Sequence, residues 1–159
     1  MFKIRAAVPT DVPIIGQLIR ELAEYEKLAD EAVASDASLR ASLFGPRPFA
    51  EVLIAETGNE VAGFALYFHN YSTFLGKPGL YVEDIFVRPQ FRGRGLGTAF
   101  FQRLARTAVD RGCGRLEWAV LNWNEPALNF YRKIGAMPMN EWTVQRLVGD
   151  GLRQLAGDL

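Results

Sequence analysis

The chain has 159 residues, in which 18 lysines and arginines balance 18 aspartates and glutamates. This length predicts a single domain over residues 1–159, and a hydrophobic fraction of 49% is sufficient for a buried core. The zero formal net charge disfavours nucleic acid as a partner, because phosphate-binding domains usually carry a basic excess. We therefore expect any ligand to be small.

The composition also disfavours membrane insertion and a metal site. No apolar run approaches the ~20 residues that span a bilayer, and residues 1–5 lack the apolar core of a signal peptide. We expect a cytoplasmic protein. Cys113 is the only cysteine and His69 the only histidine, so the sequence contains no cluster of soft metal ligands, and we expect no bound metal.

Capping and turn signals in the first half of the chain predict two helices and a hairpin. Apolar residues recur at helical spacing after Thr10-Asp11-Val12-Pro13. A second helix is expected between the cap Ser35-Asp36 and the stop signal Gly45-Pro46. Segments 51–56 and 61–69 are rich in β-branched and aromatic residues and meet at a turn signal, which predicts a β-hairpin.

A buried central strand is predicted over residues 80–87. The run is apolar except for Glu83 and Asp84, and it is bounded by Gly79 and Pro89. Strand alternation would direct the two carboxylates to opposite faces, so we expect only one of them, Glu83, to face a site. For Asp84 we favour a solvated face or a contact that caps a neighbouring arginine.

The second half of the chain continues the alternation of helices and strands. A glycine-rich loop leads into a helix that ends near Gly112, and a strand is expected over residues 115–121. A short helix should follow from Asn124 to about Gly135, and a last strand should lie around residues 142–148. These elements predict an α/β fold with a mixed, mostly antiparallel sheet and helices on both faces.

The loop at residues 93–98 has the chemistry of a phosphate site. Glycines between a strand and a helix allow backbone N–H groups to approach a phosphate, and Arg92 and Arg94 add cationic donors. The alternative is that these glycines only provide turn geometry. The P-loop motif is excluded because no Lys-Ser or Lys-Thr occurs, and the glycine spacing does not match the dinucleotide fingerprint.

Residues 87–98 resemble the acetyl-CoA signature of the GNAT N-acetyltransferases, an Arg/Gln-x-x-Gly-x-Gly/Ala loop in which Arg92, Gly95 and Gly97 occupy the defining positions. Nearly the whole chain resembles one branch of that family, the diamine (spermidine/spermine) and thialysine N-acetyltransferases. The matching segments are residues 20–26, 61–65, 81–87 and 123–131.

The resemblance implies a fold in which two parallel strands splay apart around the pantetheine arm of acetyl-CoA. It places Ile85, Phe86 and Val87 along that arm. It places a second group on the pyrophosphate: Arg92, Gly93, Arg94, Gly95, Leu96, Gly97 and Thr98. The third group, at the short helix, is expected to line the other side of the cofactor: Asn124, Glu125, Pro126, Ala127, Tyr131 and Arg132.

The same resemblance implies two catalytic residues. An amine with a pKa near 10.4 costs about 4 kcal/mol to deprotonate at neutral pH, and Glu83 matches the base or substrate-binding carboxylate of the family. Tyr131 matches the general acid that protonates the leaving thiolate. The alternatives are a solvated carboxylate for Glu83 and a packing role for Tyr131.

The acceptor residues implied by the resemblance are Tyr25, Glu26, Glu83 and Glu117, and the carboxylates of Glu26 and Glu117 fit a solvated surface equally well. The chain departs from the diamine enzymes at Phe74, where they carry tryptophan. This departure argues against the polyamines spermidine and spermine and leaves small diamines, thialysine-like amino acids and other primary amines as acceptors. A homodimer is expected from the family. The rival functions are a protein or peptide N-acetyltransferase and a CoA-binding module without turnover.

Overall fold

A five-stranded sheet in the order β1-β2-β3-β4-β5 organises the unit Met1–Leu121 of the computed structural model, which describes residues 1–157. Strands β1 to β4 pair antiparallel, and β5 pairs parallel with β4. Helices cover both faces, which confirms the predicted α/β fold with its mixed, mostly antiparallel sheet. The strands are β1 (Lys3–Ala6), β2 (Glu51–Thr57), β3 (Glu60–Ser72), β4 (Lys77–Val87) and β5 (Leu116–Trp118).

Two helices pack on one face of the sheet and one packs on the other. Helices α1 (Val12–Tyr25) and α2 (Asp36–Phe44) enclose one core with Ile54 and Phe64, and α3 (Leu96–Asp110) encloses the second. Ser35 caps α2 as predicted, because its side chain accepts a hydrogen bond from the Ser38 amide at 3.1 Å. The predicted hairpin is present as β2 and β3.

Residues from Asn122 onward form a second compact unit. It contains α4 (Glu125–Lys133) and α5 (Gly149–Ala156). The start of α4 agrees with the prediction, and its end lies just before Gly135. Across residues 1–157, no helix is long and apolar enough to cross a membrane.

Two predicted strands differ from the structure. The strand expected over residues 115–121 is shorter, since β5 contains only Leu116–Trp118. The strand expected over residues 142–148 is wrong, because that segment has no ladder partner among the described residues. The alternation of apolar Trp142, Val144 and Val148 imitates a half-buried strand, but all three side chains are exposed. Alternating apolar residues do not form a β-strand unless another strand pairs with them.

Candidate functional site

Strands β4 and β5 separate at the place where the cofactor arm is predicted. The parallel ladder joins only Leu80, Tyr81 and Val82 to β5, whereas β4 continues to Val87 and stays paired with β3. On the β5 side, residues 83–87 therefore have no ladder partner in the described part of the chain. Their N–H and C=O groups on that side form an open backbone edge, in which the Val87 carbonyl already accepts from Arg92 Nε.

The glycine loop connects β4 to α3 through two left-handed residues. Gly93 has φ +77° and Gly95 has φ +82°, a conformation that costs other residues energy. Gly95 immediately precedes α3, and no side chain caps the helix there. The first amides of α3 lack intrahelical acceptors, so the loop presents backbone donors and the positive end of the helix dipole in one place.

Two arginines flank this loop, and each guanidinium lies over an aromatic ring. Arg92 Nε donates to the Val87 carbonyl at 2.8 Å, and its Cζ is 4.7 Å from the ring centroid of Tyr25 and 5.6 Å from that of Phe86. Arg94 Cζ is 5.7 Å from the centroid of Phe91. Within residues 1–157, neither arginine forms an ion pair with a carboxylate, so both positive charges are available to an anion.

A β-bulge in β4 interrupts the alternation on which the sequence prediction relied. Val82 pairs with Tyr67 and Asp84 pairs with Leu66, so Glu83 is an extra residue without a partner on β3. Before the bulge Leu80 and Val82 contribute to the core under α3, and after it Ile85 and Val87 do so. Glu83 and Asp84 therefore both lie outside that core, instead of one pointing into it.

Asp84 is the more strongly perturbed of the two carboxylates. Burial, followed by the negative charges of Glu83 and Glu26, raises the pKa of Asp84 to about 7. Burial also raises the pKa of Glu26, which follows the last residue of α1. The structure thus brings together Glu26, Glu83 and Asp84. The expectation that Asp84 is solvated or caps an arginine did not anticipate its burial beside two other acids, since nothing in the sequence marks the bulge.

Glu117 is a further acidic residue near these three carboxylates, and it lies on β5 beside β4. It is in register with Tyr81, and Asn70 Nδ2 donates to its Oε1 at 3.3 Å. Burial and the charges of Glu83 and Glu117 raise the pKa of the Tyr81 hydroxyl. Acidic side chains therefore extend from Glu26, at the end of α1, across β4 to Glu117 on β5. Among residues 1–157, no three His, Cys, Asp or Glu side chains are grouped closely enough to hold a metal ion.

The end of α1 fixes the position of Tyr25 and Glu26. The helix closes with two bonds, from the Leu28 amide to the Ala23 carbonyl at 2.8 Å and from the Lys27 amide to the Glu24 carbonyl at 3.1 Å. Lys27 adopts the left-handed conformation with φ +61°. This pattern is that of a Schellman motif, in which glycine is the usual residue.

The second unit contains the remaining predicted residues on α4. Asn124 is 7% exposed and caps the helix, because its Oδ1 accepts from the Ala127 amide at 3.3 Å. Pro126 lies in the first turn, where its missing N–H is not needed. Arg132 pairs with Glu125 at 3.9 Å and donates to Asn129. Tyr131 lies one residue before Arg132, and its ring centroid is 5.8 Å from that of Phe130.

Comparison with known proteins identifies one family. The model of the acetyltransferase (GNAT) family matches residues 17–136. The chain is 42% identical over 165 residues to the thialysine N-ε-acetyltransferase of Bos taurus, covering 97% of this chain and 96% of the bovine protein. It is 35% identical over 198 residues to an L-ornithine N5-acetyltransferase of Arabidopsis thaliana, covering 96% of this chain and 87% of that protein.

A solved structure has the same fold over nearly the whole chain. An integron cassette protein from the mobile metagenome of V. cholerae superposes with a TM-score of 0.83 at 28% sequence identity. The alignment covers 99% of this chain and 98% of the cassette protein.

Proposed function

Because this chain belongs to the acetyltransferase (GNAT) family, we propose that it transfers the acetyl group of acetyl-CoA to a primary amine of a small molecule. We choose a small cationic acceptor because three carboxylates, those of Glu26, Glu83 and Asp84, lie together next to the open edge of β4. Relatives named for thialysine and for ornithine support it, since both acceptors are amino acids with a side-chain amine.

The open edge and the loop fit acetyl-CoA. The backbone of Ile85, Phe86 and Val87 offers hydrogen-bonding groups to the amides of the pantetheine arm, as a further strand would. The amides at the start of α3 and the guanidinium groups of Arg92 and Arg94 suit the pyrophosphate. At α4, we propose contacts to the cofactor from Asn124, Glu125, Pro126, Ala127, Tyr131 and Arg132.

Bound acetyl-CoA would supply the thioester that the amine attacks. We propose that Glu83 removes a proton from the ammonium group, directly or through a water, so that the amine nitrogen can form the new N–C bond. The hydroxyl of Tyr131 would give its proton to the sulfur as the C–S bond breaks. As the acetyl group is transferred, the nitrogen loses a second proton to water, and water returns a proton to the oxygen of Tyr131. Glu83 releases its proton to the solvent, so the products are the amide, the free thiol and one proton.

The carboxylate of Asp84, next to Glu83, would recognise the positive charge of the acceptor. A cation placed next to Asp84 favours its ionised form, which burial and its acidic neighbours otherwise disfavour. Glu26, Tyr25 and Glu117 would contact the distal parts of the acceptor. This arrangement favours an amine with a second polar or charged group over a simple alkylamine.

Domain organisation, oligomeric state, location and partners belong to the same proposal. The family match includes residues of both units, which supports one acetyltransferase domain over residues 1–159. We expect a homodimer, which sedimentation velocity would test. We also expect a cytoplasmic protein that needs no metal, nucleic acid or membrane.

A thiol-release assay would test the proposed function. Purified protein and acetyl-CoA would be mixed with thialysine, ornithine, a short diamine, spermidine or a lysine-containing peptide. We expect release with at least one of the small amines and little with the peptide. Release with the peptide alone would indicate a protein acetyltransferase, whereas acetyl-CoA binding without release for any amine would indicate a CoA-binding module.

A further inference from the structure

We propose that the ring of Tyr25 positions the Arg92 guanidinium for the CoA pyrophosphate, so that the end of α1 contributes to acetyl-CoA affinity. This inference rests on the proposed function, and it gives Tyr25 a role on the cofactor side in addition to its proposed contact with the acceptor. The two residues are 67 positions apart in sequence, yet Arg92 Cζ lies 4.7 Å from the Tyr25 ring centroid.

The Arg92 side chain is held at three points and remains charged. Its Nε donates to the Val87 carbonyl at 2.8 Å, and the rings of Tyr25 and Phe86 lie against the guanidinium. No carboxylate pairs with it within residues 1–157. Contact with an aromatic face stabilises a guanidinium without neutralising it, so the η nitrogens keep their capacity to bind an anion.

An ion pair one helical turn earlier holds the end of α1 that carries the Tyr25 ring. Arg88, just after β4, binds the Glu21 carboxylate with Nη2–Oε2 at 2.9 Å and donates to the Val61 carbonyl at 2.9 Å. Glu21 lies one helical turn before Tyr25, on the same face of α1. The end of α1 is therefore fastened to the segment that carries Arg92, and the Tyr25 ring is positioned before any ligand binds.

Preorganisation of this kind raises affinity because the arginine loses less side-chain freedom on binding. Phe86 is 4% exposed and belongs to the core, so its contact with Arg92 serves packing as well. Tyr25 is 38% exposed, and removal of its ring changes the support of Arg92 with little effect on the core. Tyr25 is consequently the residue at which the inference is tested.

The test measures the dissociation constant of acetyl-CoA by calorimetry, with no amine present. Tyr25→Leu should weaken binding about 3- to 30-fold, the range expected for loss of a cation–π contact. Tyr25→Phe retains the ring and should restore wild-type affinity. Tyr71→Leu, which removes an exposed tyrosine of β3, is the matched control and should bind acetyl-CoA as the wild type does.

The role of Arg92 is isolated by a double-mutant cycle. Arg92→Met should weaken binding by itself, and adding Tyr25→Leu to it should cause no further loss. Equal losses from Tyr25→Leu with and without Arg92 would overturn the inference, as would an unchanged affinity of Tyr25→Leu. If thermal melting shows that Tyr25→Leu is unfolded, Tyr25→Gln replaces it in the cycle.

Different results would overturn the proposed function and this inference. Wild-type protein that does not bind acetyl-CoA would overturn both. Wild-type binding together with an unchanged Tyr25→Leu would overturn only the role of Tyr25 and leave the acetyltransferase assignment intact.

Discussion

Glu83 and Asp84 are consecutive residues of β4, and the β-bulge at Glu83 keeps both carboxylates out of the core under α3. In a regular strand the second of two neighbours would point to the opposite face. The bulge instead leaves two acids next to each other at the point where β5 separates from β4. One group can then accept a proton while the other binds a cation, and the two roles are separable by mutation.

Glu83→Gln should slow turnover at pH 7 by roughly 10²–10⁴-fold while acetyl-CoA affinity stays nearly unchanged, because a general base acts only in the chemical step. The loss should shrink as the pH approaches the pKa of the amine, since the neutral nucleophile is then already present. Steady-state rates between pH 7 and 10 measure this. A loss that stays constant over that range would make Glu83 a substrate anchor, and Glu60→Gln in the hairpin is the control.

Asp84→Asn should make the protein more stable at alkaline pH and remove part of its pH dependence. The folded pKa of about 7 lies above the ordinary value of 3.8, so the folded state holds a proton that the unfolded state releases. The contribution of Asp84 to the free energy of unfolding should therefore be fully present below about pH 4. It should be lost as the pH rises through about 7, and the loss should be at most about 4 kcal/mol. Urea unfolding of both proteins at pH 5 and pH 8 measures the difference.

The same residue should make amine binding depend on pH in the opposite sense. Ionised Asp84 attracts a cation, so affinity for a cationic acceptor should rise between pH 6 and pH 8 in the wild type and not in Asp84→Asn. Identical pH profiles for the two proteins would remove Asp84 from acceptor recognition.

Gly95→Val should abolish acetyl-CoA binding, because a β-branched residue does not readily adopt φ +82° at the start of α3. The matched control is Gly58→Val in the β2–β3 turn, where φ is +58° and an added Cβ likewise meets no atom within 4 Å. Both variants should lose stability through backbone strain, and only the first should lose affinity in calorimetry. Wild-type affinity in Gly95→Val would remove the loop from the cofactor site.

Tyr131→Phe should reduce turnover by roughly 10- to 10³-fold, or about 1.4–4 kcal/mol, and by a similar factor for every accepted amine. The effect is smaller than at Glu83 because a thiolate with a parent pKa near 8.5 already leaves readily. Rates with the best amine and with two poorer ones measure it, with Tyr71→Phe as the control. A defect confined to one amine would assign Tyr131 to acceptor binding, and no defect would make it a packing residue.

Local signals in the sequence were sufficient for most of the fold. The Ser35 cap, the hairpin turn and the helical spacing in α1 and α3 each depend on residues close together in the chain, and each prediction is confirmed. The prediction of a strand over residues 142–148 was wrong because it depended on a distant part of the chain. A strand needs a partner that is distant in sequence, and the pattern of one segment does not contain that information.

The parts of the candidate site that a sequence motif defines could be predicted. The parts that depend on how distant segments align could not. Gly95 has the left-handed conformation that a glycine in such a loop provides. The bulge at Glu83 depends on how β4 aligns with β3, and the contact between Tyr25 and Arg92 depends on how α1 packs beside the end of β4. Both are relationships between distant segments, so neither followed from residue type or spacing.

The open edge of β4 also bears on solubility. Residues 83–87 have no ladder partner on the β5 side within the described chain, and such an edge is a template for pairing with a strand of another molecule. The acidic side chain of Glu83 at its beginning and Pro89 just beyond its end oppose that pairing, because like charges on two copies repel each other and proline lacks an N–H. The acidic residue that we propose to act on the acceptor would thus also protect the free protein from aggregation.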